Sequence, residues 1–438
     1  MTVILVSVYI AAFFLIARLF SKREGYYSTV VIFGLAAYIY YIGIPFEMAL
    51  LNLDTIEGSG VKLMLTASQL NQIVGMGIIA FLSFSIGYYF SGFNPFKNSL
   101  VHPKASPKRS IRFSVIFLGV LSLVVIPIFF RNLILAVSTY EGAIAAIYHN
   151  PLFSLLIIYV AIVISLISTI VIRRGKLRNF VIGLGLVSTI VLYGIYSSDK
   201  TVMLIGLLAL GAVFIKLKLN RKWIFLPLII LTAFLGVFLG IIFNIYIRGS
   251  GQVPMDEFFK KRLGLRRFDP LGPMLSLEHV LSNRIALKYG ATYIDLFPLL
   301  VPRIFWKDRP LDLSEEFARE IMPNWSPGQG RGYSLLAEAY LNFSWAGAFI
   351  QYFVIGLLWG WFWKTLRRLF YWHYSPLLWQ GLYITLGYFL LIIMHRGPAA
   401  GLFKSMILCN ALFVLFAVFF DFSMLKRQEK SVKLRKLL

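Results

Sequence analysis

"TVILVSVYIAAFFLIARLFSKR", residues 2–23, is an apolar run closed by three basic residues, Arg18, Lys22 and Arg23. A helix needs about 20 apolar residues to cross a bilayer. Residues 3–20 are too long for a typical secretory h-region and lack a small-residue cleavage site. The stretch therefore reads as a retained membrane helix with its basic end in the cytoplasm.

The same pattern recurs along the 438 residues, which are 59% hydrophobic with a mean hydropathy of +0.77. Further apolar windows fall near 28–50, 70–90, 112–130, 152–172, 179–196, 201–217, 223–247, 345–364, 376–394 and 401–420. The spacing predicts an all-α polytopic membrane protein with about 11 transmembrane helices. Alternate loops and the C-terminal tail carry 25 Lys and Arg, while the opposite side's short connections carry five: Lys62, Arg131, Lys200, Arg396 and Lys404. That asymmetry predicts an outside N-terminus and a cytoplasmic C-terminus. It also accounts for the net charge of +24 without a nucleic-acid partner. The single cysteine, Cys409, lies in an apolar block, which argues against a disulfide framework or a thiolate metal site.

Three regions follow. Residues 1–247 hold spans one to eight, 248–344 form one large extracytoplasmic loop, and 345–438 hold the last three spans and a basic tail. The loop has 13 Lys/Arg against 11 Asp/Glu, and long loops translocate largely regardless of charge. A loop of this length with helices of its own is usually functional. "MDEFFKKRLGLRRF" (255–268) reads as an amphipathic surface helix whose basic face meets membrane-lipid phosphate. "GPMLSLEHVLSNRIALKYG" (272–290) reads as a second helix, closed by Gly290 at a C-cap. "DLSEEFAREIMP" (312–323) reads as a third, with a capping box between Asp312 and Glu315 and Pro323 beyond its end.

On the outer side, "GRGYSLLAEAYLNFSWAG" (330–347) carries Arg331 and Glu338 seven residues apart, which in a continuous helix places both on one face. Glu338 lies between Ala337 and Ala339 close to a span, where an ionised carboxylate is expensive unless paired or functional. Both readings stand: a structural Glu–Arg pair, or a working carboxylate. Lys200, Arg248, Arg303, Arg331 and Arg396 come from separate outer connections and together suit an anion, although Arg248 alone fits a snorkelling anchor as well. No Walker A, GxGxxG, HExxH or CxxC motif is present, so ATP hydrolysis and dinucleotide redox chemistry have no support. The carboxylates form no tight outward DxD pair, so a metal is not implied.

"PRIFWKDRP" (302–310) followed by "GYSLLAEAYLNFSWAG" (332–347) resembles the signature of Wzy-type oligosaccharide repeat-unit polymerases, the O-antigen polymerases of bacterial envelopes. The "SSDK" turn (197–200) is similar to a short outer loop of these polymerases and of the related O-antigen ligases. Two positions depart from the pattern: Lys200 stands where Arg is common, and Ser344 where "NFG" would place Gly. The resemblance implies a GT-C-like glycosyltransferase architecture in the bacterial cytoplasmic (inner) membrane. It implies an undecaprenyl-diphosphate-linked oligosaccharide as both donor and acceptor, and inverting glycosyl transfer without cofactor or metal. A chain-length regulator and a flippase are the implied neighbours, with membrane lipids around the chain. On this view Glu338 is the base that takes the acceptor hydroxyl proton, and His395 is the second base candidate. Lys200, Arg248, Arg303, Arg331 and Arg396 would hold the diphosphate, and Tyr333 and Tyr340 would stack on sugar faces or join an interfacial aromatic belt. An O-antigen ligase using the same donor is the alternative within this chemistry. A lipid-linked oligosaccharide flippase is the alternative outside it, although no internal repeat of the kind common in transporters is visible.

Overall fold

A computed structural model describes residues 1–24, 29–58, 61–92, 271–282, 285–301, 306, 308–323, 325, 330–373 and 394–403. Nearly all of these lie in one compact unit drawn from 1–102, 262–369 and 390–438. The second unit, 103–261 and 370–389, falls outside the described residues apart from 370–373. The expected spans between 112 and 247, and nearly all of those at 376–394 and 401–420, lie outside them too, as does the expected surface helix at 255–268.

What is described is mostly helical. α1 is Thr2–Glu24, α2 Thr29–Ala37, α3 Gly43–Leu50 and α4 Ala67–Phe90. α5 is Leu271–Ser282, α6 Ala291–Ile294, α7 Leu296–Leu300, α8 Leu313–Ile321 and α9 Leu335–His373. Four stretches are long and apolar enough to cross a membrane: Thr2–Phe20, Thr29–Leu50, Ala67–Phe90 and Leu335–Phe362. In α1, Ile4, Phe14, Leu15 and Leu19 are all more than half exposed, the pattern of a helix whose outer surface faces hydrocarbon.

The second span is continuous through a π-helical turn at Tyr38–Ile42. Pro45 explains its position, because proline has no N–H to give the carbonyl of Tyr41 and the ladder must adjust just upstream. An antiparallel hairpin, β1 (Thr55–Gly58) with β2 (Val61–Met64), joins this span to α4 and departs from a purely α chain. α4 starts at a capping box, Thr66 with Gln69. α4 and α9 approach with backbones nearly touching: a Cβ on Gly87 would run into the Phe353 carbonyl, and one on Gly356 into the Phe84 carbonyl. Gly356 and Gly360 have GxxxG spacing, which lets apolar helices approach this closely. Stacked Phe33 and Phe84, with centroids 3.8 Å apart, fill the core beside the contact.

Two expected helices end elsewhere. α5 stops at Ser282 instead of running to Gly290, and Lys288 and Tyr289 instead donate their N–H groups to the carbonyls of Leu341 (2.9 Å) and Asn342 (3.2 Å). Gly290 is left-handed at φ 92°, but as the residue before α6 rather than as a C-cap of α5. α9 is interrupted at Phe343 and Ser344, so a short helix, 335–342, precedes the long apolar one.

Candidate active site

Glu338 lies in the first turn of α9, one of the positions where the helix dipole favours an anion. Ser334 starts the helix: its hydroxyl accepts the N–H groups of Leu336 (3.1 Å) and Ala337 (3.4 Å), and its own N–H donates to Ser276 Oγ on α5 (2.8 Å). The side chain of Glu338 is wholly buried. Thr292 Oγ1 donates to Glu338 Oε1 at 2.9 Å, and the Ala399 N–H donates to Oε2. Desolvating an unpartnered carboxylate is prohibitive, and these donors, from two segments distant in sequence, offset that cost.

Asn342, one turn along the same helix, completes the arrangement. Its Nδ2 donates to Thr292 Oγ1 (2.7 Å) and to the Glu338 carbonyl (2.9 Å), while its Oδ1 accepts the Gly290 N–H (2.9 Å). The helix can end here because the 288–289 segment satisfies its last carbonyls. Ser344 then takes φ 55°, ψ −138°, a conformation where glycine is relaxed and serine is strained. The turn brings Gly347 onto Ala339, whose carbonyl a Cβ at 347 would overlap.

The carboxylate is among the groups lining a small cleft with about 10 Å³ of room, the space of about one water molecule. Its polar wall is Thr292, Asp295, Asp312, Glu316 and Glu338; Leu299, Leu311, Leu313, Pro398 and Ala400 supply the apolar remainder. Asp312 is fixed by the capping box with Glu315 that the sequence predicts, and Glu316 is paired with Lys288 at 3.2 Å. Among the described residues, no three His, Cys, Asp or Glu side chains are arranged to share a metal ion.

The expected helical pairing of Arg331 with Glu338 does not occur. Arg331 precedes the helix, its N–H bonded to the Ser314 carbonyl (2.9 Å), and the Glu338 oxygens are bonded to Thr292 and Ala399. Partial burial pulls the Arg331 guanidinium below its usual range. Arg396 is half-buried in the 394–397 turn, whose backbone lies against Gly332. Neither arginine lines the cleft, and Lys200, Arg248 and Arg303 lie outside the described residues. Tyr333 is packed inside against Phe317, with ring centroids 5.6 Å apart, so its ring faces protein; Tyr340 is half-buried. Burial pushes the Tyr333 phenol well above its usual range, and the charge of Glu338 adds to the effect.

His395 is also wholly buried, boxed by Phe33 (5.0 Å), Tyr41 (5.1 Å) and a stacked Tyr40 (5.6 Å). Both ring nitrogens lack a hydrogen-bond partner, and the residue is not on the cleft wall. Sequence reasoning missed Thr292 and Asn342. The i,i+4 spacing of Glu338 and Asn342 was the one local signal; Thr292 reaches the site across 46 positions of chain. No family model, no curated protein and no solved structure matches the chain.

Proposed function

We propose that the chain polymerises polyprenyl-diphosphate-linked oligosaccharide repeat units at the outer face of a bacterial cytoplasmic membrane, as a metal-independent inverting glycosyltransferase. The observation that carries the reading is Glu338: a buried carboxylate on a cleft floor, in the stretch that resembles the polymerase signature, with no salt bridge to Arg331. A purely structural ion pair, the simplest alternative for this residue, is thereby removed.

In this mechanism Glu338 accepts the proton of an acceptor sugar hydroxyl. The freed oxygen attacks the anomeric carbon of the donor glycan from the face opposite the diphosphate. The bond from that carbon to the diphosphate oxygen breaks, its electron pair leaves with the diphosphate, and the configuration inverts. Base assistance of this type contributes about 10²–10⁴-fold. Four carboxylates on one cleft wall repel a diphosphate, so the cleft suits the hydroxyl-bearing acceptor end. The resemblance gives the leaving diphosphate to Arg331, Arg396, Lys200, Arg248 and Arg303, and of these Arg331 and Arg396 do not line the cleft. Since Glu338 has no exposure of its own, a hydroxyl reaches it only when the side chains around it give way.

The test is to supply the purified protein with a polyprenyl-diphosphate oligosaccharide and resolve the lipid-linked products by mass. A ladder of longer lipid-linked glycans is expected. Transfer only to a lipid A core acceptor would make it a ligase, and movement of substrate across vesicles without elongation would make it a transporter.

A further inference from the structure

The hydrogen bonds behind Glu338 have a preferred direction, set in part by groups that can only donate. A backbone N–H can only donate, so the Gly290 N–H identifies the Asn342 atom it meets at 2.9 Å as the amide oxygen. The other end of that amide is therefore NH₂, and it donates to Thr292 Oγ1 at 2.7 Å. A threonine hydroxyl has one proton. Its oxygen has two lone pairs; with one of them accepting from Asn342, the proton is available to an ionised Glu338 Oε1, 2.9 Å away. Oε2 in turn faces the Ala399 N–H, another group that only donates. In this arrangement both carboxylate oxygens act as acceptors: Oε2 from a group that can only donate, and Oε1 from the hydroxyl that Asn342 orients.

From this polarity we infer that Thr292, oriented by Asn342, is a positioning residue that presents Glu338 to the cleft as a proton acceptor rather than a proton donor. The inference rests on the glycosyl-transfer reading for its purpose, but the polarity itself does not. A general acid here would have to donate to the second lone pair of Thr292 Oγ1 and turn that hydroxyl away from its bond. The Ala399 N–H can only donate, and the lone pairs left over on an ionised Glu338 are what an incoming hydroxyl would meet. The relay also ties the carboxylate to the helix end. Asn342 is the last residue before the break at Phe343, and the segment that caps it, Lys288–Gly290, leads directly into Thr292. The interruption of α9 and the orientation of Glu338 are therefore one construction.

Two readouts separate this inference from the function it serves. The first is infrared difference spectroscopy at pH 9, using the full-length wild type and the isosteric variants Thr292→Val and Asn342→Asp. The carbonyl band of a protonated carboxylic acid should be absent from wild type. It should appear in Thr292→Val and vanish again in the double variant with Glu338→Gln. A protonated band in wild type that Glu338→Gln removes would overturn the inference, whatever the protein catalyses. The second readout is glycan elongation. Thr292→Val and Asn342→Asp should lose at least tenfold in kcat with KM for the lipid-linked substrate unchanged, and Thr292→Ser should restore wild-type kcat. Full kcat in Thr292→Val would overturn the positioning role. If wild type elongates nothing, the glycosyl-transfer reading fails, and the infrared result still decides the polarity.

Discussion

Glu338 and His395 are both ionisable, both wholly buried, and both in segments that the sequence places on the outer side. They differ in what surrounds them. Every contact of the Glu338 carboxylate is a hydrogen-bond donor, and the residue lines a cleft. His395 has three aromatic rings around it and no partner for either nitrogen. Burial alone does not mark a site. A buried polar group held by a directed network is built to act or to staple, whereas one left unsatisfied is a cost the fold carries.

The contrast can be broken by substitutions with opposite signs. Glu338→Leu strands the Thr292 hydroxyl and the Ala399 N–H, and should lower stability by about 3 kcal/mol, read as a drop in thermal unfolding temperature in detergent. Gly347→Val should cost about 2 kcal/mol by the same measurement, because the new side chain meets the Ala339 carbonyl and separates the two halves of α9. His395→Phe should instead stabilise by about 1 kcal/mol, since phenylalanine fills the aromatic box without two unpaired nitrogens. A loss on that substitution would mean that the imidazole has an essential partner, and the contrast would fail. Ser344→Gly should stabilise by up to about 1 kcal/mol by relieving the positive φ.

That last position shows how far the sequence could be read. The departure of Ser344 from "NFG" was visible as a letter, but the strain it produces depends on the chain turning there. Local signals transferred well. The capping box at Asp312 is where the residue types require it, and the apolar windows at 3–20, 28–50 and 70–90 are helices Thr2–Glu24, Thr29–Leu50 and Ala67–Phe90. Non-local bonds did not transfer. Nothing near Lys288 announces that its N–H caps a helix ending more than fifty residues later, so the expected helix at 272–290 runs past the observed end at Ser282, whereas the expected span from 345 begins where α9 resumes after its break. The Arg331–Glu338 pairing failed for the same reason: it assumed a helix reaching back to 331, whereas the helix begins at Leu335. Glu338 itself was legible, because a carboxylate among alanines beside a span is conspicuous. The donors that define its chemistry were not, since two of the three segments that build the site come from elsewhere in the chain.

The most direct test of the central claim is the rate of glycan elongation by Glu338→Gln and His395→Phe, measured beside wild type in one preparation. The account predicts that Glu338→Gln, which keeps the shape but not the basicity, loses about 10²–10⁴-fold, while His395→Phe stays near the wild-type rate. Normal elongation by Glu338→Gln, or its abolition in a folded His395→Phe, would contradict it.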